Sequence, residues 1–206
     1  TGVVRTVLRE WGFRLERTDK GLRRRRGLLT RTDLVMPVHR VQALRLSTGL
    51  VRRWFGWHSL KLVSLASDSG SANHEAVPFA RLKEIAPVVA ETGFELPGAE
   101  IEWHRSSRRY RIDGFLIGFF LMIAIAAALF VSGKAFFALL PIIAGGGWFA
   151  LHEYMRWRWD RHALGRRQLY ARHGWFAPSM AIASREKLQS VEIVRNPLAR
   201  VRGYAD

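Results

Sequence analysis

The chain has no cysteine and few acidic residues. Its 206 residues include 33 Lys plus Arg against 17 Asp plus Glu, which gives a formal net charge of +16. The absence of cysteine excludes a disulfide framework and a thiolate zinc site, and it fits a reducing compartment. The shortage of acidic residues predicts attraction to polyanions, so nucleic acid and anionic lipid headgroups are both candidate partners.

Targeting and catalytic patterns are also missing. No basic start, short apolar run and small-residue cleavage site follows Thr1, and the chain does not begin with Met, so we expect an internal piece of a longer protein. No Gly-x-Ser-x-Gly elbow or Walker phosphate loop occurs. His74-Glu75 and His152-Glu153 lack the second histidine of a zinc protease helix. We therefore expect no enzyme activity, no metal site and no cofactor.

Charge is nearly absent from residues 114 to 151, where Lys134 is the only charged side chain. The uncharged segments 114–132 and 135–151 each reach roughly 25 to 30 Å at about 1.5 Å per residue, which matches the hydrocarbon core of a bilayer. The short Ser132-Gly133-Lys134 break predicts a tight turn. We therefore predict a transmembrane hairpin that enters and leaves by one membrane face.

The segments that flank this hairpin are basic and aromatic. Arginines are enriched on the cytoplasmic side of membrane helices, so both ends of the chain are expected in the cytoplasm. No ionisable group lies deep in either segment, which disfavours a transport pathway. The aromatic side chains cluster at the membrane boundary rather than beside arginines on a sheet, which favours lipid over nucleic acid. They are Trp103, Tyr110, Trp157 and Trp159, and the basic flanks are Arg105, Arg108, Arg109, Arg111 and the five arginines from Arg156 to Arg167.

The N-terminal part shows the alternation of half-buried strands. FRLER followed by the turn residues TDKG predicts a β-hairpin, and further strands are expected at about 28–36, 41–47 and 57–66. Residues 67–75 read as a loop. A short strand then leads into a helix whose apolar face holds Leu82, Ile85, Val88 and Val89, and Pro87 is expected to kink or shorten it.

The sequence also matches itself after a shift of 147 residues. Identical residues coincide at four positions, and apolar positions of the segment 41–46 coincide with apolar positions of 188–193. We therefore predict an internal repeat. The identical pairs are Gly27 with Gly174, Gln42 with Gln189, Arg53 with Arg200, and Gly56 with Gly203.

Residues 13 to 66 resemble the bacterial pleckstrin-homology-like (PH-like) domains of multi-repeat membrane proteins. The matching motifs are the Gly-Leu-Leu strand at Gly27, the Pro-x-x-Arg-(Ile/Val)-Gln strand, and the Arg-x-x-Gly turn. In this chain they fall on Gly27 to Leu29, on Pro37, Arg40, Val41 and Gln42, and on Arg53 and Gly56. The resemblance implies a strongly bent antiparallel sheet, a capping helix near 79–91 and membrane hairpins between repeats. It implies a location in the bacterial cytoplasmic membrane.

The second copy departs from this pattern, because Ser184 and Lys187 stand where the first copy has Pro37 and Arg40. Only Gln189 and Gly203 keep the motif there. We expect the motif residues to hold strand and turn geometry rather than to contact a ligand. The resulting prediction is a membrane-anchored α+β protein with a PH-like domain at 1–104, a transmembrane hairpin at 105–163 and the start of a second PH-like domain at 164–206.

The densest charge cluster is Arg23, Arg24, Arg25 and Arg26. A strand would direct these arginines to both sheet faces, so a sheet buried on one side cannot hold all four without partners. One interpretation is a solvated strand end. The other is a headgroup-facing patch completed by Arg14, Arg17, Arg52 and Arg53, in which each cation near the surface contributes about 1 kcal/mol.

These patterns favour a non-enzymatic, multi-pass membrane protein that presents PH-like modules on the cytoplasmic face. The expected partners are anionic membrane lipid and a protein partner or a second copy, without nucleic acid. One alternative is a component of a membrane transporter or membrane enzyme complex. A nucleic-acid-binding module is the less favoured alternative.

Overall fold

The computed structural model describes residues 2–64, 73–186 and 200. The chain divides into two compact units. The first unit contains Thr1–Glu102, Ala163–Ala171 and Phe176–Leu188, and the second contains Trp103–His162, Arg172–Trp175 and Gln189–Asp206. The predicted motif positions Gln189 and Gly203 lie outside the described residues.

The first unit begins with helix α1 (Gly2–Glu10) and a small antiparallel sheet. Its strands are β1 (Arg14–Thr18), β2 (Gly21–Arg26) and β3 (Thr32–Met36), in the order β1-β2-β3. The turn between β1 and β2 falls at Asp19 and Lys20, which confirms the predicted hairpin. Gly21 has a φ of +129°, and a Cβ there would collide with the carbonyl of Met36, so this turn requires glycine.

A larger antiparallel sheet follows a short 3-10 turn at Val38–Arg40. It contains β4 (Val41–Ser47), β5 (Trp57–Ser64) and β6 (Asn73–Arg81), with the short helix α2 (Leu50–Trp54) between β4 and β5. Three strands from later in the chain continue this sheet beyond β4, namely β8 (Arg161–Leu164), β9 (Gln168–His173) and β10 (Ser179–Ser184). These six strands lie in the order β6-β5-β4-β10-β9-β8.

Helix α3 (Leu82–Glu91) supplies the apolar face that packs into the core of this unit. Of the predicted helical face, Ile85 and Val89 are buried and Val88 is half-buried, whereas Leu82, the first residue of the helix, is 47% exposed. The helix continues past Pro87 to Glu91, and Gly93, with a φ of +76°, follows its end. The most deeply buried side chains of the unit are Val41, Leu44, Leu60, Leu62, Ile85, Val89 and Ile182.

The second unit is built on two helices, α4 (Arg108–Val131) and α5 (Gly146–Trp159). A 3-10 turn at Ala135–Phe137 and a π-helical turn at Pro141–Gly145 lie between them. Before α4, the two-residue strand β7 (His104–Arg105) pairs with the first residues of β8. A Cβ on Gly118 would collide with the ring of Phe149, and one on Gly145 with the sulfur of Met122, so these glycines allow the helices to pack closely.

Both helical segments are long and apolar enough to cross a membrane. The most apolar 18-residue windows of Arg111–Val131 and Ala135–Trp159 have mean hydropathies of 2.7 and 1.6. Only 11% and 6% of their most apolar windows are buried inside the protein, so they are not core helices. The exposed apolar side chains include Ile117, Phe120, Phe130, Val131, Phe136, Leu139, Leu140 and Ile143.

Candidate functional site

Two of the four consecutive arginines of β2 lie inside the first unit. Arg24 is 4% exposed and donates a hydrogen bond to the backbone carbonyl of Glu75. Arg26 lies with its Nη1 atom 2.6 Å from Oε1 of Glu10 and 3.7 Å from Oε2 of Glu75. Burial, with a smaller repulsion from Arg26, lowers the pKa of Arg24. Arg24 therefore meets a backbone carbonyl and Arg26 meets two carboxylates, and neither side chain faces solvent.

The other two arginines point to the opposite, exposed face, where they share one carboxylate. Arg23 donates from Nε to Oδ1 of Asp33 at 2.8 Å, and Arg25 donates from Nε to Oδ2 of Asp33 at 3.1 Å. The hydrogen bond from Arg23 is the main cause that holds the pKa of Asp33 down at about 2. The same bond raises the pKa of Arg23. The headgroup role of Arg23–Arg26 stays a prediction, and the geometry leaves only Arg23 and Arg25 accessible for it.

Asp33→Asn is expected to make the protein easier to unfold near neutral pH, because it removes the carboxylate that both exposed arginines bind. The folded-state pKa of Asp33 is depressed, so its contribution is present above the ordinary pKa of 3.8 and is lost as the pH falls through about 2. Thermal unfolding of Asp33→Asn and the parent chain across this range measures the effect. The difference in midpoint should shrink towards pH 2, whereas the exposed turn control Asp19→Asn should show no such difference.

A second candidate surface lies on and beside α2, and we call it the α2 surface. It combines Arg52 and Arg53 with large apolar side chains that are exposed to solvent. Trp54 is 83% exposed, which is unusual for the largest apolar side chain. The apolar members are Leu50, Val51, Trp54, Phe55, Trp57 and Phe79.

Ring contacts hold part of the α2 surface together. Phe55 stacks on Trp57 with 5.2 Å between ring centroids, and the guanidinium carbon of Arg52 lies 4.4 Å from the centroid of the Phe79 ring. Exposed aromatic rings beside cations suit the boundary between water and lipid. The expectation that aromatic side chains do not lie beside arginines on a sheet is wrong, because Trp57 on β5 and Phe79 on β6 are exposed near Arg52. The sequence reasoning named Arg52 and Arg53 but missed their apolar neighbours. The segment LVRRWF, with apolar residues on both sides of the two arginines, was the signal that could have found them.

The motif residues of the resemblance lie at turns and on β4, except Arg53, which lies on α2. Gly27 has a φ of +109°, and a Cβ there would collide with the carbonyl of Thr30. At Gly56 there is space for a Cβ, but the φ of +68° favours glycine. The backbone N–H of Arg40 donates to the carbonyl of Pro37 at 3.2 Å, closing the 3-10 turn before β4. Gln42 is half-buried on β4.

In the second unit, a basic and aromatic cluster surrounds Trp157 near the end of α5. The guanidinium carbons of Arg105 and Arg111 lie 5.0 and 4.7 Å from its ring, and its indole N–H donates to the carbonyl of Ser106 at 2.9 Å. Amphipathic rings and cations of this kind are typical of the headgroup level of a membrane. The structure therefore brings together basic and aromatic side chains of the two flanks, and their position at a membrane surface stays a prediction.

A cavity of about 1200 Å³ lies in the first unit, between the segment after α3 and the β8–β9 region. The Tyr170 hydroxyl on its wall donates to the Glu95 carbonyl at 3.2 Å, and the Glu95 N–H donates to Oε1 of Gln168 at 3.1 Å. The predicted lipid-binding arginines do not line it. Within the described residues, no group of three or more His, Asp or Glu side chains is placed to hold a metal ion.

Comparison with known proteins identifies a family for most of the chain. A family model described as Bacterial PH domain matches residues 1–92 and 112–206. The match therefore falls in two segments. No curated protein and no solved structure matches the chain.

Proposed function

Because the chain belongs to the bacterial PH domain family, we propose that it is a non-enzymatic integral membrane protein whose PH-like modules bind anionic lipid at the cytoplasmic face of the bacterial membrane. PH-like domains generally bind lipids or proteins. The family therefore supports a binding role, and the partner has to be argued from the surfaces of this chain.

The observation that carries the membrane part of the proposal is the exposure of the two apolar helical segments. An apolar surface of this length is unstable in water, and soluble proteins rarely expose large contiguous apolar patches. In lipid the same side chains are solvated, and the helices satisfy their own backbone hydrogen bonds. We propose that Arg111–Val131 and Ala135–Trp159 span the membrane as a hairpin.

The α2 surface supports lipid as the partner of the first module. Its rings and aliphatic side chains can enter the headgroup region while Arg52 and Arg53 meet anionic groups, in the manner of an interfacial amphipathic segment. The net charge of +16 adds a general attraction to an anionic membrane. Because the first module is joined to α4 by a short segment, the lipid concentration near it is high even if the intrinsic affinity is low.

We also propose that the strands of residues 161–184 begin a second PH-like module. The strands β8, β9 and β10 start at Arg161, Gln168 and Ser179, each 147 residues after the starts of β1, β2 and β3. The same shift relates the two copies in the sequence. This agreement in strand spacing is independent of residue identity, so it supports the repeat more strongly than the few identical positions do.

Vesicle binding tests the lipid proposal with the full chain. The chain, held in nanodiscs of neutral phosphatidylcholine, is mixed with vesicles of phosphatidylcholine alone or with added phosphatidylglycerol. Binding to the anionic vesicles is expected, and it should fall as salt screens the charges. Arg52→Gln with Arg53→Gln removes two cations, or about 2 kcal/mol, so the affinity should fall roughly 30-fold.

The matched control is Arg23→Gln with Arg25→Gln, which removes the same charge from the exposed face of β2 and leaves the buried Arg24 and Arg26 in place. A larger loss of affinity for anionic vesicles with Arg52→Gln and Arg53→Gln assigns the lipid contact to the α2 surface. A larger loss with the control pair assigns it to β2 instead. If the parent chain does not distinguish anionic from neutral vesicles at low salt, headgroup binding is the wrong function and a protein partner replaces it.

A further inference from the structure

The outer edge of β3 differs from the corresponding edge of its counterpart β10. Both are third strands of a three-strand series with the same spacing. In the described residues, β3 is the edge strand of the small sheet, whereas β10 lies inside the larger sheet, between β9 and β4. An edge strand presents unpaired backbone N–H and C=O groups that can pair with another strand.

The side chains of the two strands reflect this difference. Ile182 of β10 stands opposite Leu44 of β4 and is 0% exposed. Val35 occupies the same place on β3 and is 40% exposed. The same position in the series is therefore buried on β10, which lies inside the larger sheet, and exposed on β3, where Val35 shares a face with Arg23 and Asp33. A neighbouring strand covers part of an exposed apolar side chain next to it, so the open edge of β3 would gain from such a neighbour.

We propose that the outer edge of β3 binds a β4-type strand from another PH-like repeat. This inference rests on the proposed repeat. The occupant is an extended segment with apolar residues at alternate positions, and it pairs antiparallel to β3. The register copies that of β10 on β4, so Val35 stands opposite the residue that corresponds to Leu44, and Asp33 opposite the residue that corresponds to Leu46.

The strand has to come from another repeat, because β4 of this chain already holds β10. The remaining edge of the small sheet is less suitable. That edge is β1, which has three exposed charged side chains, Arg14, Glu16 and Arg17, whereas β3, of the same length, has only Asp33. Charged side chains on an edge strand disfavour pairing. Because β10 is the counterpart of β3 and pairs with β4, the edge of β3 is expected to fit a strand of the β4 type.

Disulfide trapping tests the proposal, and the chain suits it because it contains no cysteine. The probe is a synthetic peptide with the sequence of residues 37–49 and Leu44→Cys. It is mixed with the full chain carrying Val35→Cys or, as the control on the other edge, Glu16→Cys. The mixed disulfide should form about tenfold faster with Val35→Cys, because pairing raises the local thiol concentration. A peptide with Arg45→Cys presents its thiol on the opposite face and should react more slowly.

Equal rates at Val35→Cys and Glu16→Cys, or with a peptide of scrambled sequence, overturn the proposal. A second variant, with Ala181→Cys and Arg45→Cys in one chain, tests the pairing that the proposal copies. If this internal disulfide forms but the peptide reacts no faster with Val35→Cys than with Glu16→Cys, only the edge proposal is wrong. The proposed lipid binding does not depend on that result. If the internal disulfide does not form, the pairing of β10 with β4 is overturned and the edge proposal falls with it.

Discussion

Arg26→Ala is expected to lower the free energy of unfolding by about 1.5–3 kcal/mol, because it removes a charge-assisted hydrogen bond from a part-buried ion pair. The side chains of Arg26 and Glu10 are only 14% and 8% exposed. Arg9 contacts the same oxygen of Glu10 from a more exposed position, so the loss should fall at the lower end of that range. Denaturant unfolding of the full chain in detergent micelles measures it.

The matched control is Arg25→Ala, which removes an arginine from the exposed face of the same strand. Asp33 keeps its bond to Arg23 in this variant, so only a small change is expected. The double variant Arg26→Ala with Glu10→Gln should recover part of the stability, because it removes the stranded charge. If Arg26→Ala and Arg25→Ala behave alike, the buried ion pair does not form in the protein.

The second large effect is the accessibility of the turn between the two apolar helical segments. A cysteine introduced by Ser132→Cys should react with a membrane-impermeant maleimide added to intact cells. Arginines flank both segments on the other side, whereas this turn has only Lys134, so the turn is expected outside. Labelling of Ser132→Cys in intact cells should be nearly complete if the turn lies outside and nearly absent if it lies inside.

Ser106→Cys provides the comparison, because residue 106 lies in the basic flank before α4. It should react only after the cells are permeabilised. Labelling of Ser132→Cys only after permeabilisation would reverse the proposed orientation. Labelling of both positions in intact cells would show that the two segments do not form a hairpin across the membrane.

The alternating parts of the fold were predictable from sequence. The strands β4 and β5 begin at Val41 and Trp57, as the alternation indicated. The strand expected from Leu28 begins only at Thr32, because Gly27, with its φ of +109°, starts a turn. Leu29 is 81% exposed in that turn. Periodicity identifies an apolar residue as a core candidate, but local backbone geometry decides whether it reaches the core.

The partners of the arginines could not be predicted in the same way. A run of four arginines on a strand predicts that alternate side chains lie on opposite faces of the sheet. It does not say which of the two faces is buried against other parts of the chain. Arg24 and Arg26 reach Glu75 and Glu10, and Glu75 lies 51 residues from Arg24 in the sequence. The pairing of β10 with β4 was missed for the same reason, since strand patterns carry no information about distant neighbours. Only the chain fold brings such residues together.

The position of β10 beside β4 also constrains the order of events during synthesis. The paired residues Ser47 and Ser179 are separated by about 130 residues, so the sheet that begins near the N-terminus cannot be completed until much later in the chain. At about 5–20 residues per second, the ribosome needs roughly 7 to 26 seconds to make the intervening segment. Throughout that interval the edge of β4 is open to wrong pairing, and both apolar helices must emerge before it closes. If the two helices span the membrane as proposed, their insertion precedes completion of the sheet, and the folding yield of the first module then depends on the efficiency of helix insertion.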